Sequence, residues 1–300
     1  MEHGIKTVGV LGAGQMGGGI AQVAALAGFK VLVYDAQPRA LDRCRADHAK
    51  RLGREVDKGK LTQAQAEAAL SGIGYIAALD GFGSGGADIV IEAVVEEAQV
   101  KADIFRALAQ MFAGIPGRQI LASNTSSISI TRIAAACRGI AGPSLEAPGQ
   151  VIGMHFFNPV PVMKLVEVIK GLETTEETTA RVIALAQAMG KTPLAANDRP
   201  GFVSNRVLMP MINEAFYAWM EGVARPEDID GIMKLGCNMP MGPLNLADFI
   251  GLDTCAQIMN VLAEGLNSER YRPCPLLRQL VTAGRLGVKA GRGVFEYPGK

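Results

Sequence analysis

The glycine sequence Gly12-Ala-Gly14-Gln-Met-Gly17 and its surroundings restrict the fold of this chain more than any other feature. The sequence follows the apolar run Thr7–Leu11 and precedes apolar residues at the helical spacing 20, 23, 24 and 27. A second apolar run, residues 31–34, then ends in Asp35. A GxGxxG sequence alone is a weak signal. A strand, this loop, a helix, a strand and an acidic residue in that order are typical of a βαβ unit that binds a dinucleotide.

The residues of the loop have separate roles in such a unit. Gly12 allows the tight turn, Gly14 lets the backbone approach a pyrophosphate, and Gly17 lets the helix pack closely on the strand. We expect the intervening Gln15 and Met16 to belong to the same cofactor site. The alternative is a βαβ unit that binds no nucleotide and uses its glycines only for packing.

The acidic residue at the end of the second strand bears on the choice of cofactor. Asp35 would accept hydrogen bonds from both hydroxyls of a ribose and repel a 2′-phosphate, which favours NAD over NADP. Arg39 lies close enough in the sequence to leave NADP open.

The rest of the first two thirds of the chain continues the alternation of strands and helices. Residues 88–95 and the start of 120–127 have the pattern of buried strands, with helical patterns between them. This alternation predicts an α/β fold, a Rossmann-like, doubly wound and mostly parallel sheet, over residues 1–192. We expect the glycine-rich residues 81–86 and the Gly/Pro-rich residues 138–150 to be loops.

A smaller, all-α C-terminal domain is predicted over residues 193–300, and the predicted linker, residues 191–201, spans the boundary between the two domains. Its predicted helices cover residues 202–221, 229–235, 246–266 and 276–283. Pro200 and Pro226 suit first helical positions. The methionine-rich apolar stripes of these helices favour a core, although methionine also suits adaptable contact surfaces. A small domain with this much apolar surface can bury it against a second copy of itself.

Composition excludes several classes of protein. Lys+Arg 30 against Asp+Glu 29 gives no general attraction to nucleic acid or to an anionic membrane surface. No apolar run approaches the roughly 18 uncharged residues that span a bilayer. The N-terminus lacks the layout of a signal peptide, so we expect a cytoplasmic protein. The five cysteines are scattered without a CxxC pair, so neither a disulfide framework nor a metal site is expected.

His155 and Glu167 flank a strong turn signal, Asn158-Pro-Val-Pro161. If the apolar flanks pair as a hairpin centred near Pro161, the two residues are directly opposite one another, with Cβ atoms roughly 5 Å apart. A histidine can exchange a proton at neutral pH, and a carboxylate on its second ring nitrogen fixes the tautomer. The pair is therefore a candidate acid/base site. The alternative is a structural histidine beside an edge glutamate.

Polar residues also follow two other predicted strands. Glu96 and Lys101 open the helix after residues 88–95, and Ser126 lies in the hydroxyl-rich turn after residue 123. Ligands of doubly wound sheets bind where strands end and helices begin, so Glu96 and Lys101 are candidates for the cofactor site. The polar turn that contains Ser126 suits a site that holds a reacting oxygen. Helix capping and dipole complementation are the alternative roles.

The predicted helix over residues 38–60 carries more basic than acidic side chains, among them Arg51 and Lys58. A solvated helix face explains such a run. A binding site for a polyanionic substrate group, such as the phosphates of coenzyme A, explains it equally well.

Several blocks of the sequence resemble the 3-hydroxyacyl-CoA dehydrogenases, and most closely the short, single-function form of that family. The blocks are the glycine loop, Ser123-Asn-Thr-Ser-Ser127, the stretch from His155-Phe-Phe-Asn-Pro to Glu167, Pro200-Gly-Phe-Val-Ser-Asn-Arg206, and Pro240-Met-Gly-Pro through Asp253. They cover nearly the whole chain in the family's order. The resemblance implies interconversion of (S)-3-hydroxyacyl-CoA and 3-oxoacyl-CoA by hydride transfer with NAD, on short acyl chains, in a homodimer formed through the C-terminal domain.

The resemblance also assigns roles by position. It implies that His155 is the catalytic acid/base, that Glu167 orients it, and that Ser126 and Asn205 hold the substrate oxygens. The implied NAD contacts are Asp35, Glu96, Lys101, Ser126, Asn158 and Lys289. Lys58 matches the family's coenzyme A lysine, and Arg51 stands where the family has a serine. The stretch 138–150 looks longer than in most relatives.

Two other functions stay open at this point. One keeps the chemistry but changes the carrier, so that the substrate is a 3-hydroxyacyl carrier protein or a free hydroxy acid. The other is a non-catalytic, NAD-binding structural protein.

Overall fold

The computed structural model describes residues 4–115, 117, 119–142 and 145–297, without the side chains of residues 145 and 146. The chain divides after Asp198 into two compact units. The predicted boundary between residues 192 and 193 stays a prediction. Part of the predicted loop 138–150, namely residues 143 and 144, lies outside the described residues.

The first unit consists of an eight-stranded sheet, a two-stranded ribbon and helices. Its strands are β1 (Thr7–Leu11), β2 (Lys30–Tyr34), β3 (Ile73–Tyr75), β4 (Ile89–Glu92), β5 (Ile120–Ser123), β6 (Ala141–Gly142), β7 (Leu145–Glu146), β8 (Val151–Phe156), β9 (Leu165–Lys170) and β10 (Thr192–Asn197). Its helices are α1 (Gln15–Leu26), α2 (Pro38–Asp57), α3 (Gln63–Ser71), α4 (Gly81–Ser84), α5 (Ala98–Ala113), α6 (Ile130–Ala135) and α7 (Glu176–Ala188).

The strand order of the large sheet is β10-β9-β8-β5-β4-β1-β2-β3. Every neighbouring pair is parallel except β8 and β9. The chain moves outward from β1 through β2 to β3 and then returns to the other side of β1 with β4. The point between β1 and β4 is thus the switch point at which such sheets bind ligands. The predicted doubly wound, mostly parallel sheet is confirmed.

Apolar residues fill the strands because helices cover the sheet. β1, β4, β5 and β8 are buried at every position, as expected of parallel strands packed on both faces. The predicted hairpin is also confirmed, since β8 and β9 pair with His155 directly opposite Glu167.

Three expected loop or linker segments have regular structure instead. Residues 81–84 form α4, and Phe82 is completely buried. Residues 192–197 are not a linker but β10, which pairs in parallel with β9. Within the stretch 138–150, β6 and β7 form an antiparallel ribbon, and Ala147–Gln150 is a 3₁₀ turn.

The second unit is helical, as predicted, and its described residues have their own apolar core. Its helices are α8 (Ser204–Met220), α9 (Pro226–Gly236), α10 (Pro243–Ile250), α11 (Leu252–Gly265) and α12 (Pro275–Thr282). The prediction that Pro226 begins a helix is confirmed, but α8 begins at Ser204 and not at Pro200.

The predicted single helix over residues 246–266 is wrong. It divides at Gly251, where φ is +106°, into α10 and α11 with a bend of 97°. A single membrane-spanning helix is absent from the described part of the chain, although this bent pair would pass by length and composition alone.

Candidate active site

The glycine loop has the geometry that its sequence predicts. Gly12 has φ +106°, and a Cβ there would lie 2.6 Å from the carbonyl oxygen of Ala93 at the end of β4. A Cβ at Gly17 would overlap the carbonyl oxygen of Gly12. A Cβ at Gly14 would meet no described atom within 4 Å, so the space above Gly14 is open. This open space at the N-terminus of α1 fits a pyrophosphate.

Asp35 is held in place at the end of β2 beside this loop. Its Oδ2 accepts from the backbone N–H of Ala13 at 2.8 Å, and its Oδ1 accepts from that of Gln37 at 2.8 Å. An ionised carboxylate offers about four acceptor positions, so these two bonds leave capacity for ribose hydroxyls. The donor and acceptor set of the loop and Asp35 therefore fits a dinucleotide.

His155 and Glu167 form a buried, hydrogen-bonded pair. His155 Nδ1 lies 2.8 Å from Glu167 Oε2, and the two residues are 8% and 4% exposed. The His155 ring packs against Phe157 with ring centroids 4.6 Å apart. Because an ionised carboxylate only accepts, Nδ1 carries the proton of this bond. The expected contact between the two side chains is thus present.

The hydroxyl-rich turn after β5 is organised by Glu96. Glu96 Oε1 accepts from Thr125 Oγ1 at 2.5 Å and from the backbone N–H of Ser126 at 2.9 Å and of Ser127 at 3.1 Å. Burial raises the pKa of Glu96, but the Lys101 ammonium group and the hydrogen bonds from residues 125–127 outweigh it, so this pKa lies below its usual value. Glu96 is therefore an ionised clamp for the turn that contains Ser126.

Lys101 lies between two carboxylates. Its Nζ donates to Glu92 Oε1 at 2.6 Å and lies 3.4 Å from Glu96 Oε2, and its side chain is 1% exposed. Glu92 is itself buried and accepts from Ser123 Oγ at 2.7 Å. Both observed partners of Lys101 are carboxylates of the protein itself, and its predicted contact with NAD stays a prediction. Sequence analysis missed Glu92, although a carboxylate ending an apolar strand run was a usable signal.

Two asparagines connect these segments. Asn124 Oδ1 accepts from the backbone N–H of Phe156 at 2.9 Å, which ties the turn after β5 to the residue after His155. Asn158 Oδ1 accepts from Gln15 Nε2 at 2.9 Å. The structure thus brings Asn158 of the hairpin to the glycine loop, whereas no sequence pattern indicated the role of Asn124.

The basic helix α2 borders a cavity of about 460 Å³ beside the glycine loop. Gly14 and Asp35 are among the residues that line it, and so are Arg43 and Arg51 of α2. Arg51 forms a long ion pair of 3.7 Å with Asp47. Lys58 does not line this cavity; it pairs with Glu55 at 3.7 Å and is exposed.

A second histidine lies behind the glycine loop, and sequence analysis missed it. His48 is completely buried; Nε2 lies 2.7 Å from the Gly18 carbonyl oxygen and Nδ1 lies 2.7 Å from the Tyr75 hydroxyl. Since a carbonyl only accepts, Nε2 donates and Nδ1 accepts. Burial lowers the pKa of His48. This histidine is a neutral structural group that supports the first turns of α1.

Two predicted site residues lie in the second unit. Asn205 is in the first turn of α8, as expected, and is 8% exposed. Lys289 lies in the 3₁₀ turn Val288–Ala290, where its Nζ is 2.6 Å from Asp253 Oδ1. Their contacts with substrate and NAD stay predictions.

A dinucleotide-binding sheet with a histidine–carboxylate pair at its carboxyl edge, followed by a helical unit, defines a nicotinamide-dependent dehydrogenase. Residues 7–199 match the family model for the NAD binding domain of 3-hydroxyacyl-CoA dehydrogenase, and residues 201–297 match the model for the C-terminal domain of that enzyme. The chain belongs to the 3-hydroxyacyl-CoA dehydrogenase family. It is therefore an NAD-dependent oxidoreductase of 3-hydroxyacyl-CoA, and the alternative of a non-catalytic binding protein is wrong.

Individual relatives extend this match over the whole chain. The chain is 55% identical to a probable 3-hydroxybutyryl-CoA dehydrogenase of Deinococcus radiodurans over 96% of its length and 99% of the relative. It is 54% identical to a probable 3-hydroxybutyryl-CoA dehydrogenase of Bacillus subtilis, with 99% of each chain covered. The crystal structure of (S)-3-hydroxybutyryl-CoA dehydrogenase from Ralstonia eutropha matches with a TM-score of 0.91 and 47% identity, covering 98% of this chain and 100% of that one.

Proposed function

We propose that the protein interconverts (S)-3-hydroxybutyryl-CoA and acetoacetyl-CoA, with His155 and Glu167 as its acid/base pair. The names of the relatives at 54% and 55% identity support the short acyl chain. The observation that carries the proposal is the buried His155–Glu167 hydrogen bond of 2.8 Å at the carboxyl edge of the sheet.

The pair transfers the proton of the reaction. NAD, when bound, supplies the hydride acceptor or donor. In the oxidation, His155 takes the proton of the 3-hydroxyl group at Nε2, because Nδ1 is engaged by Glu167. Glu167 stabilises the imidazolium that forms and keeps the ring in one orientation. In the reduction, His155 returns the proton to the same oxygen.

Ser126 and Asn205 orient the substrate oxygens in this proposal. The backbone of Ser126 is held by Glu96 at 2.9 Å, so its hydroxyl starts from a defined position. Asn205 supplies an amide from the first turn of α8. Neither side chain changes its charge, which suits a role in positioning the substrate and stabilising charge on its oxygen.

The proposed NAD contacts come from several strand ends. Gly12, Gly14 and Gly17, together with Gln15 and Met16, would hold the pyrophosphate, and Asp35 would hold the ribose. The remaining proposed contacts are Glu96, Lys101, Ser126, Asn158 and Lys289. The hydrogen bond of 2.9 Å between Gln15 and Asn158 supports this set, since it joins the glycine loop to the hairpin.

Coenzyme A binds along α2 in this proposal. Arg51 lines the cavity beside the glycine loop, and Lys58 lies at the end of α2, so both can meet phosphate groups. The exposed apolar side chains of the second unit support a homodimer, and we also propose a cytoplasmic location. Cell fractionation tests the location.

The experiment that tests the function follows the absorbance of NADH after addition of acetoacetyl-CoA to the purified protein. We expect rapid loss of NADH and a much slower loss of NADPH. A series of thioesters of increasing acyl length tests the preference for a short chain. The same acyl group on a carrier protein tests the alternative carrier, and equal or faster turnover there would overturn the coenzyme A assignment.

A further inference from the structure

One buried lysine of the first unit takes no part in the mechanism above. Lys191 lies between α7 and β10 and is 9% exposed. Its Nζ donates to the carbonyl oxygens of Val160 at 2.5 Å and Met163 at 2.8 Å. Within the described ranges, no carboxylate forms an ion pair with Lys191. Burial, and then the charge of Lys164, lowers the pKa of Lys191.

Burying an ammonium group without a carboxylate partner costs free energy. A buried charge needs hydrogen-bonding partners to offset the loss of water, and here carbonyl dipoles are those partners. Both carbonyl groups belong to residues 158–163, which we call the hairpin turn because they connect β8 to β9. Lys191 therefore holds one particular segment and does not neutralise an acid.

The hairpin turn also packs on α1. Val160 is 2% exposed, and a Cβ at Gly19 would lie 2.8 Å from the Cβ of Val160. Real Cβ atoms do not approach this closely, so only glycine at position 19 allows the turn to pack on α1. The bond between Gln15 and Asn158, 2.9 Å long, adds a polar contact between the same two segments.

The position of the turn sets the position of the acid/base pair. β8 ends at Phe156, one residue after His155, and β9 begins at Leu165, two residues before Glu167. A shift of the turn therefore acts directly on the two strands that hold the pair opposite one another. It also changes the distance from the pair to the glycine loop of α1.

We propose that Lys191 is a positioning residue for the reaction: by holding the Val160 and Met163 carbonyl groups, it fixes the hairpin turn against α1 and so fixes the His155–Glu167 pair relative to the glycine loop. This inference rests on the proposed role of His155 as the acid/base. Displacement of reacting groups by about 1 Å can cost about 10²-fold in rate.

The experiment compares Lys191→Met, which keeps the apolar length but removes every donor, with Lys191→Arg, which keeps a charged donor. Lys170→Met is the matched control, because Lys170 ends β9 far from the turn and pairs with Glu176. For each variant we would measure kcat with acetoacetyl-CoA, the Kd of NADH by fluorescence, the melting temperature, and the primary isotope effect with deuterated NADH.

We expect Lys191→Met to lower kcat by about 10- to 100-fold while the Kd of NADH changes by less than about threefold. The isotope effect should increase, because a misplaced acid/base makes the chemical step slower relative to binding and release. For Lys191→Arg, the decrease in the logarithm of kcat should be smaller than for Lys191→Met by at least about a third. A role in stability alone would lower the melting temperature without changing the isotope effect.

A second variant keeps the inference testable if Lys191→Met fails to fold. Gly19→Ala displaces the turn from the α1 side and leaves Lys191 intact, so it should lower kcat and increase the isotope effect in the same way. The inference is overturned if the folded variants match Lys170→Met in kcat and isotope effect. If the wild-type protein does not oxidise NADH with acetoacetyl-CoA, the proposed function fails instead, which is a different result.

Discussion

At the scale of single residues, the partners of a buried histidine decide what it can do. His155 and His48 are both buried and hydrogen-bonded. The partner of His155 is a carboxylate, which stabilises an added proton, whereas His48 contacts a carbonyl and a phenol. In the proposed mechanism His155 therefore has the task of proton exchange, whereas His48, whose pKa is lowered by burial, has the task of a neutral support at neutral pH.

Replacement of His155 tests the first task. In His155→Gln, the glutamine amide can still donate a hydrogen bond to Glu167 but cannot accept and return a proton. We therefore expect kcat to fall by about 10²–10⁴-fold. The Kd of NADH should change little, since the residues proposed to hold the dinucleotide are mainly those of the glycine loop and Asp35. Steady-state kinetics and NADH fluorescence give the two numbers. Near-normal turnover would remove His155 from the mechanism.

Acid titration tests the task of His48. Its pKa is lowered in the folded state, so below the unfolded pKa of about 6.5 the unfolded chain binds the proton more readily. The contribution to stability is present above that pH and decreases as pH falls toward the folded pKa, by at most about 1.4 kcal/mol per pH unit.

The check is urea unfolding between neutral and mildly acidic pH. His48→Gln can still donate to the Gly18 carbonyl group but does not titrate, so its free energy of unfolding should decrease less on acidification than that of the wild type. Identical pH dependence of the two proteins would contradict the assignment. Turnover of this variant at neutral pH should stay close to normal, which also makes it a control for His155→Gln.

At the scale of elements, local sequence predicted those whose signal lies in a few consecutive residues. The βαβ unit was predictable because its glycines are required by contacts within one loop and its two strands. The register of the β8–β9 hairpin was predictable because the turn fixes it: residues at equal distances from the centre of the turn lie opposite one another. The cap of α3 is equally local, because Thr62 and Gln65, three residues apart, form a full capping box.

Elements that depend on distant contacts were not predictable in this way. α4 exists because Phe82 fills the space that Gly9 of β1 leaves open, with a Cβ at Gly9 lying 2.8 Å from the ring. β10 forms because β9 offers it an edge, although its own sequence contains a proline. The charge network of Glu92, Lys101 and Glu96 was not predictable either, because the periodicity of the sequence does not show how close these three side chains lie in the fold.

The turn after β5 gives a prediction at this scale. Glu96 organises the whole turn through one oxygen, so Glu96→Gln should disorder it, lowering kcat/KM for the acyl-CoA by about 10- to 100-fold with a smaller effect on melting temperature. Glu97→Gln is the matched control, because Glu97 is exposed and its side chain makes no capping bond to α5. Equal kinetics of the two variants would show that the turn does not need the clamp.

At the scale of the whole molecule, the two units have separate cores and carry separate parts of the proposed chemistry. The described residues of the first unit include the glycine loop, the acid/base pair and the clamped turn. The second unit contributes Asn205 and Lys289 in the proposal and exposes large apolar side chains, among them Val207, Ile232, Leu235 and Phe249. Ile232 and Leu235 lie three residues apart on one face of α9, and adjoining exposed apolar side chains indicate an interaction surface.

Substitution of Leu235 is the most direct test of that surface. It is 90% exposed, and Ile232, three residues earlier on the same face of α9, is 63% exposed. In a twofold dimer each substitution occurs twice, so Leu235→Asp should weaken self-association by at least about 100-fold. Leu172→Asp, at an 81% exposed leucine of the first unit, is the control.

Light scattering should show a dimer for the wild type and the control and a monomer for Leu235→Asp. NADH affinity should be retained in all three proteins, because the residues proposed to bind the pyrophosphate and ribose belong to the first unit. A wild-type monomer, or a Leu235→Asp dimer of unchanged stability, would show that this face of α9 does not bind a second copy.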